Sequence, residues 1–201
     1  MTEQHIVPEA GEYIERLRTV PAANVGDAQE RIGVLDGDIR ALWDGARVVG
    51  PAVTCWTREG DNLGLHAAIA DADAGDVIVV NGHGFSGRAL MGELMAGRAK
   101  AKGIAGFVID GYIRDLADFA AMGMPVFARG TCPAGPYKHG PFRLGGPVAV
   151  GGVAVLPGDV IVADGDGVTV IAAASVAEIT AAAEAVQADE AQRRAKIGLQ
   201  S

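Results

Sequence analysis

Apolar positions along this chain switch between two periods, and the switches mark out its elements. Ala10, Tyr13, Ile14 and Leu17 recur at the spacing of one helix face, so a helix is expected over residues 8–19. A short second helix is expected in "NVGDAQERIGV", with Asp27 placed as a candidate N-cap. The run "ARVVGPAVTCW" (46–56) reads as a strand, "DNLGLHAAIADA" (61–72) as a helix and "DVIVVN" (76–81) as a buried strand. Beyond a glycine loop, "RALMGELMAGRAKAKG" (88–103) predicts a helix closed by a glycine. A strand (104–110), a short helix (113–123) and another strand (125–130) follow. Residues 147–171 read as strands and turns. A terminal helix is expected from about 175, where Ser175 and Glu178 have capping-box spacing.

Glycine punctuates this pattern, with 29 residues lying largely at turn positions between short Val/Ile/Ala runs. Two strings echo each other: "GDVIVVNGHG" (75–84) and "GDVIVADGDG" (158–167) agree at seven of ten positions. Each reads as a turn feeding a strand that ends at a glycine loop. No linker or low-complexity stretch interrupts residues 1–201, so one α/β domain is expected. Strands and helices do not alternate strictly, so a simple doubly wound sheet is not required.

Charge narrows the function classes. A net charge of -8 and a pI near 4.9 argue against a nucleic-acid surface, and the densest basic run, "RRAK" at 193–196, fits a solvated helix. No segment approaches the roughly 18 uninterrupted apolar residues of a membrane span. The acidic start "MTEQHIVPEAGEYIERL" lacks the apolar core of a secretory signal, so a cytoplasmic protein is expected. Cys55 and Cys132 form no CxxC pair and read as free thiols.

The loop "VIVVNGHGFSG" (77–87) has the outline of a dinucleotide fingerprint, Gly82-x-Gly84-x-x-Gly87 after a strand, with Asp110 lying 23 positions beyond Gly87. Three features weaken that reading. The loop falls mid-chain, His83 and Phe85 are bulky, and the last third lacks a second set of βα units. No Walker sequence is present. The loop reads instead as a turn before a helix start, where backbone N–H groups meet a small anion, and no nucleotide cofactor is expected.

Three charged residues lie where the apolar pattern does not require them: Glu93, Arg114 and Asp115. In α/β sheets such positions, at strand ends and helix starts, gather around ligands. The pattern Glu93-x20-Arg114-Asp115, within "GELMAGRAKAKGIAGFVIDGYIRD", resembles the signature of the RraA-like family. The segments "VGDAQERIG", "VVGPAVTC", "GDNLGLHAAI", "GMPVFARG" and "VAVGGVAVLPGDVIVADGDGVTVI" are similar to family segments in family order, and together they span nearly the whole chain.

That resemblance implies an αββα sandwich with mixed sheets, assembled as a homotrimer or homohexamer. It implies a class II pyruvate aldolase, cleaving a 4-hydroxy-2-oxo acid such as 4-hydroxy-4-methyl-2-oxoglutarate to pyruvate, with oxaloacetate decarboxylase activity. By the same analogy Asp115 is the protein ligand of Mg²⁺ or Mn²⁺, a hard cation that keeps much of its water. Arg114 holds the 2-oxo acid and stabilises the enolate. Backbone amides around Gly92, Glu93, Leu94 and Met95 bind its carboxylate. Glu93 orients a metal-bound water or assists proton transfer, in a position that is Asp in some relatives. Glu190 is the residue that aligns with an acid contributed by a neighbouring subunit, and the same helix also offers Glu184 and Asp189 for that place. Lys138, His139 and Arg143, in the loop "PYKHGPFRLGG" (136–146), are candidates for the distal carboxylate, and His83 is a candidate pocket residue. The family also implies an alternative, a non-enzymatic regulator that binds and inhibits an endoribonuclease.

Overall fold

A computed structural model describes residues 10–198. Helices α1 (Ala10–Leu17) and α2 (Ala22–Ala28) lead to a two-residue strand β1 (Arg40–Ala41) and the long strand β2 (Val48–Thr57). Then come α3 (Leu63–Asp71), β3 (Val77–Asn81), β4 (Ala89–Met91), α4 (Glu93–Lys102), β5 (Gly106–Ile113), α5 (Leu116–Met122) and β6 (Val126–Thr131). Five short strands, β7 (Phe142–Leu144), β8 (Val148–Val150), β9 (Val153–Val155), β10 (Val160–Asp164) and β11 (Gly167–Ile171), precede the terminal helix α6 (Val176–Lys196).

The fold is mixed α/β. Nine strands form one sheet in the order β1-β6-β5-β3-β2-β10-β11, with β4 added beside β5 and β7 beside β2. Strands β2, β3, β5 and β6 run parallel, whereas β10 is antiparallel to both β2 and β11. β2 is the hinge of the arrangement. Its first residues, Val48–Pro51, pair with β10, and its later residues, Ala52–Trp56, pair with β3. The changeover falls at Pro51, which has no N–H to offer a ladder. Residues 33–35 then bond to β11 before β1 pairs with β6, so the sheet nearly closes on itself.

Three apolar layers result, which is the αββα order that the resemblance implied. Leu65, Ala68, Met95, Ala99 and Phe119 from α3, α4 and α5 cover Ile78, Val80, Phe107 and Ile109 on one outer face. Val77, Val79, Val108, Ile161 and Val170 meet between the two halves of the sheet. Leu17, Val25 and Ala183 from α1, α2 and α6 cover Val49, Val160 and Val162 on the other outer face. Strands buried on both faces read as apolar runs, and Val77–Val80 of β3 and Gly106–Ile109 of β5 do so.

Several local expectations are corrected. The first two residues of the expected 8–19 helix lie outside the described residues, and α1 ends at Leu17. Asp27 lies inside α2, whose first N–H, that of Ala22, is taken by the Asp164 carboxylate at 2.8 Å. Ser175 makes no side-chain cap, because a 3₁₀ turn (Ala173–Ser175) precedes α6 and Asp159 accepts the Ala173 N–H at 3.0 Å instead. The expected 88–103 helix divides in two: Ala89–Met91 is a buried strand against β5, and the helix starts only at Glu93.

The echoed strings encode one turn used twice. Gly75 (φ +92) and Gly158 (φ +85) both take the left-handed region that favours glycine. The next residue, Asp76 or Asp159, turns its carboxylate back onto the N–H three residues earlier, at 2.7 and 2.8 Å. The two turns launch β3 and β10, the strands that flank β2.

Candidate active site

Parallel pairing of β4 with β5 builds the site. It brings the residue after β4, Gly92, beside the residues after β5, Arg114 and Asp115, and the Arg114 N–H donates to the Met91 carbonyl at 2.9 Å. The 20 residues between Glu93 and Arg114 are the rest of α4, the turn after it and β5.

Asp115 takes a left-handed conformation (φ 61, ψ 41) that turns its side chain back toward α4. Its Oδ2 accepts the Glu93 N–H at 3.1 Å and lies 3.5 Å from Arg114 Nε. A helix start leaves N–H groups without intrahelical partners, and here a carboxylate from another segment takes one of them. Asp115 Oδ1 accepts no hydrogen bond, and the Leu94 N–H has no partner, among the described residues. Met95 and Ala96 donate to the Gly92 carbonyl, both at 3.1 Å. Arg114 runs between two glycines. An added Cβ would stand 3.1 Å from its Nε at Gly92 and 3.3 Å from its Nη1 at Gly135.

The opposite wall of the cleft comes from Asn62 and His66, at the start of α3, and from Pro136 and Lys138; Arg98 extends the α4 side. The enclosed volume is about 190 Å³, below the roughly 300–1,000 Å³ of pockets that take drug-sized ligands, so a small acid fits better than a dinucleotide. Asn62 is buried. Its Nδ2 donates to the Leu90 carbonyl at 3.0 Å, which fixes the amide's orientation, and its Oδ1 is left with no donor among the described residues. Burial, with help from the charges of Lys138 and Arg98, holds the His66 imidazole below its ordinary pKa.

Beside the cleft, Asp61 is wholly buried. Its Oδ2 accepts N–H groups of His139 (2.7 Å) and Gly140 (3.0 Å), and Oδ1 accepts that of Leu63 (2.9 Å). Burial pushes this carboxyl up, but those three N–H groups and the charge of Arg58, 3.3 Å away, outweigh it and hold the pKa below its ordinary 3.8. A lowered pKa contributes stability above the unfolded value and loses it as pH falls through the folded one. The His139 and Gly140 amides are therefore expected to stay protected from hydrogen exchange at pH 3.8 and above, and to open only at lower pH. Opening at higher pH would show that the carboxylate does not hold them.

A sequence profile described as "RraA-like: Aldolase/RraA" matches residues 22–170. The chain belongs to the RraA-like family. It is 42% identical over 185 residues, 92% of this chain and 88% of the other, to a Halalkalibacterium halodurans protein provisionally named 4-hydroxy-4-methyl-2-oxoglutarate aldolase. Streptomyces coelicolor RraAS2, described as an unusual member of the RNase ES inhibitor RraA protein family, superposes with a TM-score of 0.82 at 34% identity, covering 91% of this chain and 96% of that one. The Thermus thermophilus RNA-processing inhibitor RraA superposes with a TM-score of 0.68 at 30% identity, covering 75% and 91%. The RraA-like fold thus carries both aldolase-named and inhibitor-named relatives.

In this RraA-like chain, the residues singled out by sequence fall into two groups. Gly92, Glu93, Leu94, Met95, Arg114 and Asp115 all line the cleft, joined there by Lys138. His139 and Arg143 do not line it; His139 is turned to Asp61 through its backbone, and Arg143 lies on β7 opposite Trp56. His83 and Asp110 line a separate polar hollow with Arg129. There Asp110 pairs with Arg129 at 2.6 Å and accepts the Gly151 N–H. Glu190 belongs to the α1/α2/α6 side of the sheet, where Asn24 donates to it at 2.8 Å.

The glycine loop does not frame the helix start as expected. The Gly82 and Gly84 N–H groups both donate to the Asp110 carbonyl, His83 donates to Asn81 and Phe85 to Gly82, so these amides turn inward. Sequence reasoning missed Asn62, His66 and Arg98. The signal for the first two was present: two polar residues four apart in the otherwise apolar "NLGLHAAI".

No helix among the described residues is long and apolar enough to cross a membrane. No group of three or more His, Cys, Asp or Glu that could cage a metal occurs among them. A single carboxylate with an open oxygen, near Glu93, suits a hard cation that takes its other ligands from water and substrate.

Proposed function

We propose that this chain is a lyase that cleaves 4-hydroxy-2-oxo acids such as 4-hydroxy-4-methyl-2-oxoglutarate to pyruvate, and that it also decarboxylates oxaloacetate. The observation that carries this reading is the convergence of an arginine, a carboxylate with one open oxygen and an unpartnered helix-start N–H in one small cleft. Asp115 would hold Mg²⁺ or Mn²⁺, which when bound withdraws electrons from the 2-oxo group.

The chain's own residues do the rest. The N–H groups at the start of α4 and the Arg114 guanidinium bind the carboxylate and the neighbouring oxo oxygen. Cleavage breaks the C3–C4 bond and leaves its electron pair on the pyruvate fragment as an enolate. Arg114 stabilises the charge that develops on the oxygen, an effect strongest in a site that excludes water. Glu93 takes the 4-hydroxyl proton as C4 becomes a carbonyl, and a proton delivered to C3 completes pyruvate. The resemblance supplies one further part. Glu190 would act in a neighbouring subunit's cleft within a trimer or hexamer, since within one chain it is held by Asn24 on the opposite helical layer.

The test is to strip the protein with chelator, add back Mg²⁺ or Mn²⁺, and follow pyruvate from both substrates. Metal-restored release is expected. No turnover with metal, together with inhibition of an endoribonuclease, would replace this reading with the regulator seen among its relatives.

A further inference from the structure

The glycine loop turns its amides away from the helix start, yet its far end reaches the cleft. His83 Nε2 lies 3.0 Å from the Thr57 carbonyl, and a Cβ added at Gly60 would stand 3.0 Å from the Phe85 ring. The loop is thus braced against the turn that follows β2. It ends at Arg88, the residue before β4, whose Cδ would lie 3.1 Å from the same Cβ at Gly60.

From this anchored stem Arg88 spans to the segment after β6. Its Nη1 donates to the Gly135 carbonyl at 2.6 Å and its Nη2 to the Tyr137 hydroxyl at 3.0 Å, and its guanidinium carbon lies 4.0 Å from the Tyr137 ring centre. A planar fork of donors fixes two points at once, which a single ammonium does not. Cys132, Ala134 and Tyr137 are also tied through their backbones, to Ile113, Ala89 and Gly60. Gly135 is not: among the described residues its one hydrogen bond is the one from Arg88.

On its inner side Gly135 meets Arg114. Apart from its chain neighbours, only Arg114 Nη1 would come within 4 Å of an added Cβ, at 3.3 Å. Gly135 is not among the residues with positive φ, so its missing side chain is room for a guanidinium and not backbone freedom. Arg114 has little else to hold its far end. Its Nε lies 3.5 Å from Asp115, and neither Nη has an acceptor among the described residues. A side chain with no acceptor of its own keeps one rotamer only where its neighbours exclude the others.

We propose that Arg88 is a positioning residue for Arg114: by fixing Gly135 it holds the wall that keeps the Arg114 guanidinium aimed into the cleft. The proposal rests on the lyase reading for what Arg114 does there, which is to stabilise the enolate. Its own content is a coupling between two arginines, one of which never touches the substrate.

Calorimetry on the Mg²⁺-loaded protein tests it with oxalate, a planar dianion that resembles the pyruvate enolate and is not turned over. Arg88→Met keeps the stem packed on Gly60 and removes the fork. It is expected to weaken oxalate by about tenfold, the scale of one charge-assisted hydrogen bond. In an Arg114→Met background the same change is expected to weaken oxalate by less than about twofold, because residues that act through one another are not additive. A merely structural role would give the same loss in both backgrounds. That result, or unchanged oxalate affinity in Arg88→Met alone, would overturn the proposal. Should Arg88→Met fail to fold, Arg88→Gln, which is too short to reach Gly135, decides by the same comparison. Coupled loss of oxalate affinity in a protein that releases no pyruvate with metal would sink the lyase reading and leave the coupling standing.

Discussion

Asp115→Asn is expected to lower metal-dependent pyruvate release by about 100-fold or more while the protein stays folded. Asparagine is the informative replacement because Asp115 has φ 61 and ψ 41. Asn is among the few non-glycine residues that visit this region readily, whereas alanine there would add backbone strain to the loss of the carboxylate. The Asn Oδ1 can still accept the Glu93 N–H, which the wild-type Oδ2 takes at 3.1 Å, so α4 keeps its cap. What disappears is the negative charge and the open second oxygen. A hard cation held by a single carboxylate depends heavily on that charge, and changes even around a metal site commonly cost about 10- to 100-fold. The check is kcat/KM against Mg²⁺ concentration, with circular dichroism for the fold. The metal required for half-maximal rate should rise sharply. Unchanged metal-dependent activity would remove Asp115 from the metal site, even with the reaction itself correctly assigned.

The arrangement around Asp115 shows which parts of this molecule are legible in its sequence. The crossover spacing Glu93-x20-Arg114-Asp115 is local enough to be read directly, because one helix and one strand fix the distance between its ends. The repeated Gly-Asp turn was visible too, since each Asp caps an N–H only three residues away. Strand β4 was not legible. Ala89–Met91 is an apolar triplet that suits a helix equally well, and only its pairing with the end of β5 decides the matter.

Long-range partners account for the other misreadings. The amides of the Gly82–Gly87 loop looked open to an anion, yet the Asp110 carbonyl takes two of them from another strand. Ser175 had the spacing of a cap, yet Asp159, far earlier in the chain, caps that segment. Asn62, His66, Arg98 and Lys138 come from two helices and a loop, and no spacing rule links them. Side chains that meet only through tertiary packing leave at most a local oddity, here two polar residues in an apolar helix.

Gly92→Ala is expected to leave the fold almost intact and to abolish most of the activity, by about 100-fold or more. Its conformation, φ -148 and ψ -174, is extended and open to any residue, so the glycine is not there for backbone freedom. What excludes a side chain is the site itself. A Cβ at Gly92 would run into Asp115 Oδ2 and stand 3.1 Å from Arg114 Nε and 3.2 Å from its Cγ. At Gly50, by contrast, an added Cβ would collide with the Gly75 backbone carbonyl, and the lesion there would be one of folding. Asp115 and Arg114 are partly exposed and can swing aside, so stability should fall by only about 1 kcal/mol, near the cost of replacing a favourable N-cap by alanine. Swinging aside, however, moves both groups off the geometry they share with the α4 N–H groups, and small displacements of reacting groups are costly. Thermal unfolding and kcat/KM measured on one preparation separate the two effects. A folded variant with near wild-type turnover would mean that Arg114 and Asp115 do not act from the positions they hold beside Gly92.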